Sequence, residues 1–269
     1  MRLSAHRPST AFFICWLAAT LPLAILPAMA SERTIQDFQV LEDVEPFPDE
    51  VPLIQAALRA PDDVAATQDL AQFRKNTGRT LLASALLGGQ FERSERLLLG
   101  IAYLESAGQL QHNDAETWVL LAEALTMLGT TTAANSAIPF ATKALNLKPE
   151  PYLRARASLA QAKAYTSLGR TLEAKEKFKA LADDPAVFDA ADLDAYVRTY
   201  LVGFDILDGG EFLEKAAMAY PENPYLAIGS ASLLRVAGEP ERALAVLAHS
   251  LEQGRHSSSL IDAMRGLSA

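Results

Sequence analysis

From residue 64 to the C-terminus the apolar positions fall at helical spacing, and glycine interrupts the pattern at intervals. Five segments share one layout: SALLGGQFERSERLL, ALTMLGTTTAANSAI, YTSLGRTLEAKEKF, FDILDGGEFLEKA and LLRVAGEPERALAVL. Each reads as the end of one apolar-periodic helix, a glycine, and the start of a second helix. The glycines are Gly89, Gly129, Gly169, Gly209 and Gly238, at spacings of 40, 40, 40 and 29 residues. Glycine at such a point supplies the positive φ that ends one helix tightly and lets the next fold back against it. A helix pair with one apolar stripe cannot bury that stripe alone, so successive pairs stack. The pattern predicts an all-α chain of about five helix–turn–helix units.

Local signals agree. Asn113 and Glu116 make a capping box ahead of the helix that carries Trp118. Asn223-Pro224 and Glu239-Pro240 put proline where helices start, and Pro149, Pro185 and Pro221 follow helix ends.

Within the units, small and large residues alternate at fixed places. In 152–185 the small positions are Ala162 and Ala174, the large ones Tyr165 and Phe178, with Gly169 at the turn and Pro185 closing the unit. In 114–149 the matching residues are Trp118, Leu121, Ala122, Leu125 and Gly129. Ala137, Ala141, Ala144 and Pro149 follow once a three-residue insertion is allowed around Thr130–Thr132. In 224–253 they are Ala231, Leu234, Gly238, Ala243 and Leu247. The copy near 75–106 offers Leu81, Leu82, Gly89, Ser94 and Leu98, and the one near 189–220 is shortened after a turn at Gly209–Gly210. These residues resemble the tetratricopeptide repeat. The resemblance implies a right-handed superhelical solenoid whose first helices line a concave, protein-binding groove. It directs Arg156, Leu159, Lys163 and Thr166 to that groove, with Glu116, Val119, Glu123 and Met127 from the preceding unit and Tyr225, Ile228, Ser232 and Arg235 from the last. Arg156, Lys163, Glu123, Met127, Tyr225 and Arg235 are the candidate partner-binding residues. The family's lysine-and-asparagine clamp for a terminal carboxylate is not reproduced.

The N-terminus follows other rules. Residues 1–30 combine Arg2 and Arg7, an apolar run from Ala11 to Leu26, and Ala28-Met29-Ala30, which reads as a secretory signal cut after Ala30. The alternative is an uncleaved membrane anchor, since Ala11 to Ala30 carries no charge, although Pro22 and Pro27 interrupt it. Residues 31–63 form an acidic, proline-containing arm with nine acidic and two basic residues, and a short helix is expected around 52–59. The repeats then occupy 64–256 and a capping segment 257–269.

Composition sharpens the picture. Of 269 residues 48 are Ala, so close-packed helix interfaces are expected. The single Cys15 lies in the signal, leaving no thiol chemistry after cleavage. Acidic residues number 33 against 24 basic, a formal charge of −9 that argues against a nucleic-acid binder. After cleavage the balance is 22 basic against 33 acidic. Residues 143–179 stand out with nine basic and three acidic residues.

Candidate chemistry is sparse. His249 and His256 could share a helix face, but no carboxylate completes a metal spacing, and His112 stands apart. Asp189, Asp192 and Asp194 lack the glycine and terminal glutamate of a calcium loop, and fit as the cap and acidic first turn of a helix over 190–207. There is no nucleophile elbow, phosphate loop or dinucleotide glycine cluster. No catalytic, cofactor or metal residue is nominated.

The expected function is therefore protein or peptide binding by an exported, periplasmic scaffold or adaptor in assembly of an envelope complex. An acidic or extended partner segment would cross Arg156 and Lys163, or the chain's own arm would cover the groove. The alternatives are an anchored scaffold, such as a cytochrome c maturation accessory, and a ligand-binding protein or enzyme with its site in the groove.

Overall fold

The computed structural model describes residues 45–60, 63–87, 90–182, 184–253 and 258–268. Residues 1–30, read above as a signal, arm residues 31–44, Gly89 and His256 lie outside them. Among the described residues there are twelve α-helices, two short 3-10 segments and no strand. We number the helices α1 (Val51–Arg59), α2 (Val64–Ala85), α3 (Gln90–Leu110), α4 (Ala115–Met127), α5 (Thr131–Asn146), α6 (Pro151–Ser167), α7 (Thr171–Phe178), α8 (Ala190–Val202), α9 (Ile206–Ala219), α10 (Pro224–Val236), α11 (Pro240–Gln253) and α12 (Ser258–Ser268). The 3-10 segments Lys179–Ala182 and Pro185–Val187 join α7 to α8. No helix among the described residues is long and apolar enough to cross a membrane.

The turns explain the layout. Gly129, Gly169 and Gly238 have φ of +67°, +71° and +87°. At two of these turns the backbone closes a six-residue loop, with Arg170 N–H donating to Tyr165 C=O and Glu239 N–H to Leu234 C=O, both at 2.9 Å. Chain reversal this tight sets successive helices antiparallel. Each helix packs on the next, and α2, α4, α6, α8, α10 and α12 also pack on one another in that order. The even-numbered helices thus form one row, all pointing the same way. Of the odd-numbered helices, α9 and α11 pack on each other as well.

Alanine sets the close packing. Ala122, Ala141 and Ala160, from α4, α5 and α6, meet with no solvent exposure. With only a methyl at the crossing, helix backbones approach closely, and large neighbours fill the remaining space. Trp118 is such a neighbour: its ring stacks on Phe140 at 5.7 Å and its Nε1 donates to His112 C=O at 2.9 Å. Phe178, Leu181, Tyr196 and Leu213 fill the C-terminal half of the core. Leu260 of α12 joins that core, and α12 packs on α10 and α11.

Several expectations change. Gly209 and Gly210 are not a turn. They are buried inside α9, and a Cβ on Gly209 would meet the Tyr200 ring at 2.5 Å. The turn lies earlier, and its left-handed residue is Phe204, φ +58°. The helix expected over 190–207 therefore stops at Val202. Inside the helix pairs the left-handed turn residues become Gly129, Gly169, Phe204 and Gly238, at spacings of 40, 35 and 34, and Lys148, φ +53°, takes the same conformation after α5. Thr130–Thr132 is no loop insertion: Thr130 caps α5 and Thr131 begins it. The extra length sits in α5 and α6, which have 16 and 17 residues. Asp114, not Asn113, caps α4, accepting from Glu116 N–H at 3.1 Å. In α3 the core positions are Leu97 and Ile101, while Ser94 is exposed and Leu98 half-buried.

The arm packs on the helices that follow it. Helix α1 covers 51–59, where a short helix was expected, and buries Ile54 and Ala57 against Leu70. Glu50, 1% exposed, accepts from Arg74 Nε at 2.7 Å and from the Tyr103 hydroxyl at 2.9 Å. Arg74 also donates to Ser106 Oγ.

Candidate groove site

A cleft of about 710 Å³ runs along the row of even-numbered helices. Its walls come from α2 (Arg79, Leu82), α4 (Glu123, Met127), α6 (Arg156, Lys163) and α8 (Asp192, Arg198). Helical periodicity explains the selection: 156, 159, 163 and 166 are one face of α6, and 191, 194, 195 and 198 one face of α8. Leu82, Leu120, Met127 and Leu159 supply apolar lining, with Thr126, Thr166 and Ser167 as polar points.

Four of the candidate partner-binding residues, Glu123, Met127, Arg156 and Lys163, come together in this cleft, with Leu159 and Thr166 beside them. Val119 does not reach it and is fully buried in the core. Glu116 turns toward α2. Tyr225 and Arg235 line no part of the cleft: Tyr225 packs half-buried on the C-terminal core and Arg235 is exposed on α10. Sequence reading missed Arg79, Arg93, Tyr152, Asp192 and Arg198. The register that selected Arg156 and Lys163 on α6 selects Asp194 and Arg198 on α8 once that helix is placed correctly.

Four of the five basic residues that line the cleft, Arg79, Arg156, Lys163 and Arg198, are paired. Arg156 grips Glu123 with two donors, Nε to Oε1 at 2.8 Å and Nη2 to Oε2. Lys163 Nζ lies 2.9 Å from Asp192 Oδ1. One row position earlier, Lys75 Nζ meets Asp114 at 2.8 Å and Glu116 at 3.0 Å. Each step from α2 to α8 is thus bridged by at least one ion pair. The Thr166 and Thr199 hydroxyls, 2.6 Å apart, add a second link between α6 and α8. The basic excess of 143–179 is answered in part by carboxylates of the neighbouring units, Glu123 for Arg156, Asp192 for Lys163 and Asp205 for Lys175. Arg170 pairs with Glu173 and Lys179 with Glu176 inside the segment itself. Lys143 lies over the Trp118 ring at 3.5 Å.

Asp192 is the most perturbed acid of the cleft. It closes a capping box with Asp189, accepting the Asp189 N–H at 3.1 Å. Burial pushes its carboxyl up to about 6, against the lowering pull of Lys163 and with a further push from Asp189. Burial presses the Lys163 ammonium down, but the charges of Asp192 and Glu123 hold it above its usual range.

The three aspartates do not form a calcium loop: Asp189 caps α8, Asp192 faces Lys163, and Asp194 pairs with Arg198. Among the described residues no group of three or more His, Cys, Asp or Glu side chains is placed to hold a metal ion. Residues 45–60 do not line the cleft, so the described part of the arm does not cover it. No protein-family model and no curated protein matches the chain.

Proposed function

We propose that the chain is an exported scaffold or adaptor that binds a segment of a partner protein along the cleft on α2, α4, α6 and α8. In this reading the signal is cut after Ala30, and the mature protein works in assembly of a cell-envelope complex. The fold would be a right-handed solenoid of about five tetratricopeptide-like pairs, α2–α3 through α10–α11. Left-handed residues at the turns inside four of the pairs, spaced by 40, 35 and 34 residues, and the row of even-numbered helices support it. One observation carries the functional reading: a single cleft drawing side chains from four successive helices that point the same way. Such a cleft suits an extended segment that meets each helix in turn.

The paired charges refine the partner's chemistry. An acidic tail would have to displace Glu123 from Arg156 and Asp192 from Lys163. A segment carrying both signs with apolar residues between them meets the cleft without that exchange, its apolar side chains against Leu82, Met127 and Leu159. The reading assigns no catalytic role, cofactor or metal. A plug tests it. Thr126→Trp fills the cleft, whereas Asn135→Trp loads the exposed side of α5. Partners from the cell envelope should co-purify with wild type and Asn135→Trp and be lost with Thr126→Trp. Equal recovery by a folded Thr126→Trp protein contradicts it.

A further inference from the structure

In or beside the turns that end α2, α6, α8 and α10, the described residues include apolar side chains that are exposed. Because the even-numbered helices point the same way, these turns share one edge of the row. Leu87 and Phe204 are each 89% exposed and Leu172 is 79% exposed, with Leu86, Val202 and Val236 also solvent-facing. The opposite edge offers less, with Leu147, Tyr152 and Met218 only partly open and Val64 alone largely so. Phe204 is the sharpest case. It takes the left-handed conformation that glycine takes at three other turns, at φ +58°, with its ring in solvent. A bulky residue in that region is strained, and strain of this kind gathers at functional points.

Around Phe204 the charges cancel. The α6–α7 and α8–α9 turns are adjacent, since Lys175 Nζ reaches the Gly203 carbonyl at 3.3 Å and pairs with Asp205. Arg170 pairs with Glu173 at 2.8 Å, and Arg198 with Asp194. Leu172, Val202 and Phe204 therefore project from ground without a dominant charge.

The geometry points to a lipid surface as the occupant of this edge: Leu87, Leu172, Val202 and Phe204 enter the headgroup region of a net-neutral phospholipid bilayer. Three features select it. The side chains stand on separate turn tips, spread over a row of helices spaced by about 8–10 Å each. A fluid surface accepts isolated tips without matching pockets, which a folded partner would need. The balanced charges favour zwitterionic over anionic lipid. Read as a signal or an anchor, residues 1–30 would direct the chain to a membrane during export, or hold it there if uncut. Leu87, Leu172, Val202 and Phe204 line no part of the cleft, although Leu86 beside Leu87 does.

The test uses the purified chain with Cys15→Ser wherever residue 15 is retained. Nitroxide labels are placed singly through Leu172→Cys, Phe204→Cys and, on the opposite edge, Met218→Cys. Vesicles are phosphatidylcholine with phosphatidylethanolamine, with and without phosphatidylglycerol. On adding neutral vesicles, labels at 172 and 204 should gain collisions with oxygen and lose collisions with a nickel chelate several-fold. The label at 218 should not change, and added salt should not reverse the effect. Three results would overturn the proposal: position 204 staying as open to nickel as 218; shielding already present without vesicles, which would mean a second copy; or shielding only on anionic vesicles and lost in salt. Val202→Cys serves where Phe204→Cys fails to fold by circular dichroism.

Discussion

Arg156 on α6 and Glu123 on α4 form a two-donor ion pair across neighbouring helices of the row, with Nε and Oε1 2.8 Å apart. Both side chains are about one-fifth exposed, so water screens the pair only in part. Its first role is to hold α4 and α6 together at the cleft. A double-mutant cycle with Glu123→Gln and Arg156→Met, read by urea unfolding, should return a coupling of about 1–2 kcal/mol. Strict additivity would mean that the pair is not a strut.

Asp192 should titrate near pH 6, where an ordinary aspartate titrates near 3.8. Its carboxyl holds the proton more tightly in the folded chain than in the unfolded one. Between those two values folding takes up a proton, so this group's contribution to stability is full at the acid end and falls as pH rises through the window. The carboxyl carbon of Asp192, followed by NMR, should show a midpoint near 6. Asp192→Asn should remove the matching slope from the stability profile. A midpoint near 4 would refute the assignment.

Glu50 is 1% exposed and holds Arg74, 2% exposed, at 2.7 Å. Glu50→Ala removes the carboxylate that neutralises the buried Arg74 guanidinium and should cost about 3–5 kcal/mol. Glu50→Met with Arg74→Met should recover part of that loss, because two apolar groups need no partner. Thermal unfolding of the three variants checks the order.

Phe204→Gly should stabilise the chain by about 0.5–1 kcal/mol, since glycine takes a left-handed φ without strain. Gly169→Ala, the reverse change at the same place in the preceding unit, should destabilise by about 1 kcal/mol. Matching shifts in the same direction would contradict the left-handed assignment of both turns.

Gly209→Ala separates the two readings of this region. In a turn it would act through φ alone. Inside α9 its Cβ meets the Tyr200 ring at 2.5 Å, against the hydroxyl-anchored Tyr196 whose O–H donates to Gly209 C=O at 3.0 Å. The cost should be about 2–3 kcal/mol from overpacking, visible as a lower urea midpoint.

Much of the fold was legible in the sequence because alanine and large residues sit at fixed places. Ala162, Ala174, Phe178, Ala231, Leu234 and Leu247 are buried where the repeat puts them. The fourth unit misled because its left-handed residue is a phenylalanine, while a nearby glycine pair serves close packing instead. Half of the cleft was legible by register on α4 and α6. Its electrostatics were not, because net charge along a segment says nothing about carboxylates from neighbouring helices. Glu123 and Asp192 lie 33 and 29 residues from the cations they neutralise. The anchoring of the arm by Glu50 was equally hidden, since one glutamate among nine acidic residues carries no mark of burial.

The central claim is that a partner segment lies in the cleft and not on the outer helices. A photoreactive residue placed at Met127, inside the cleft, and separately at Asn135, exposed on α5, tests it in intact cells. The account predicts a discrete adduct to one partner from position 127, none from 135, and loss of the adduct when Thr126→Trp is added. The same adduct from position 135, or its persistence beside Thr126→Trp, would contradict the account.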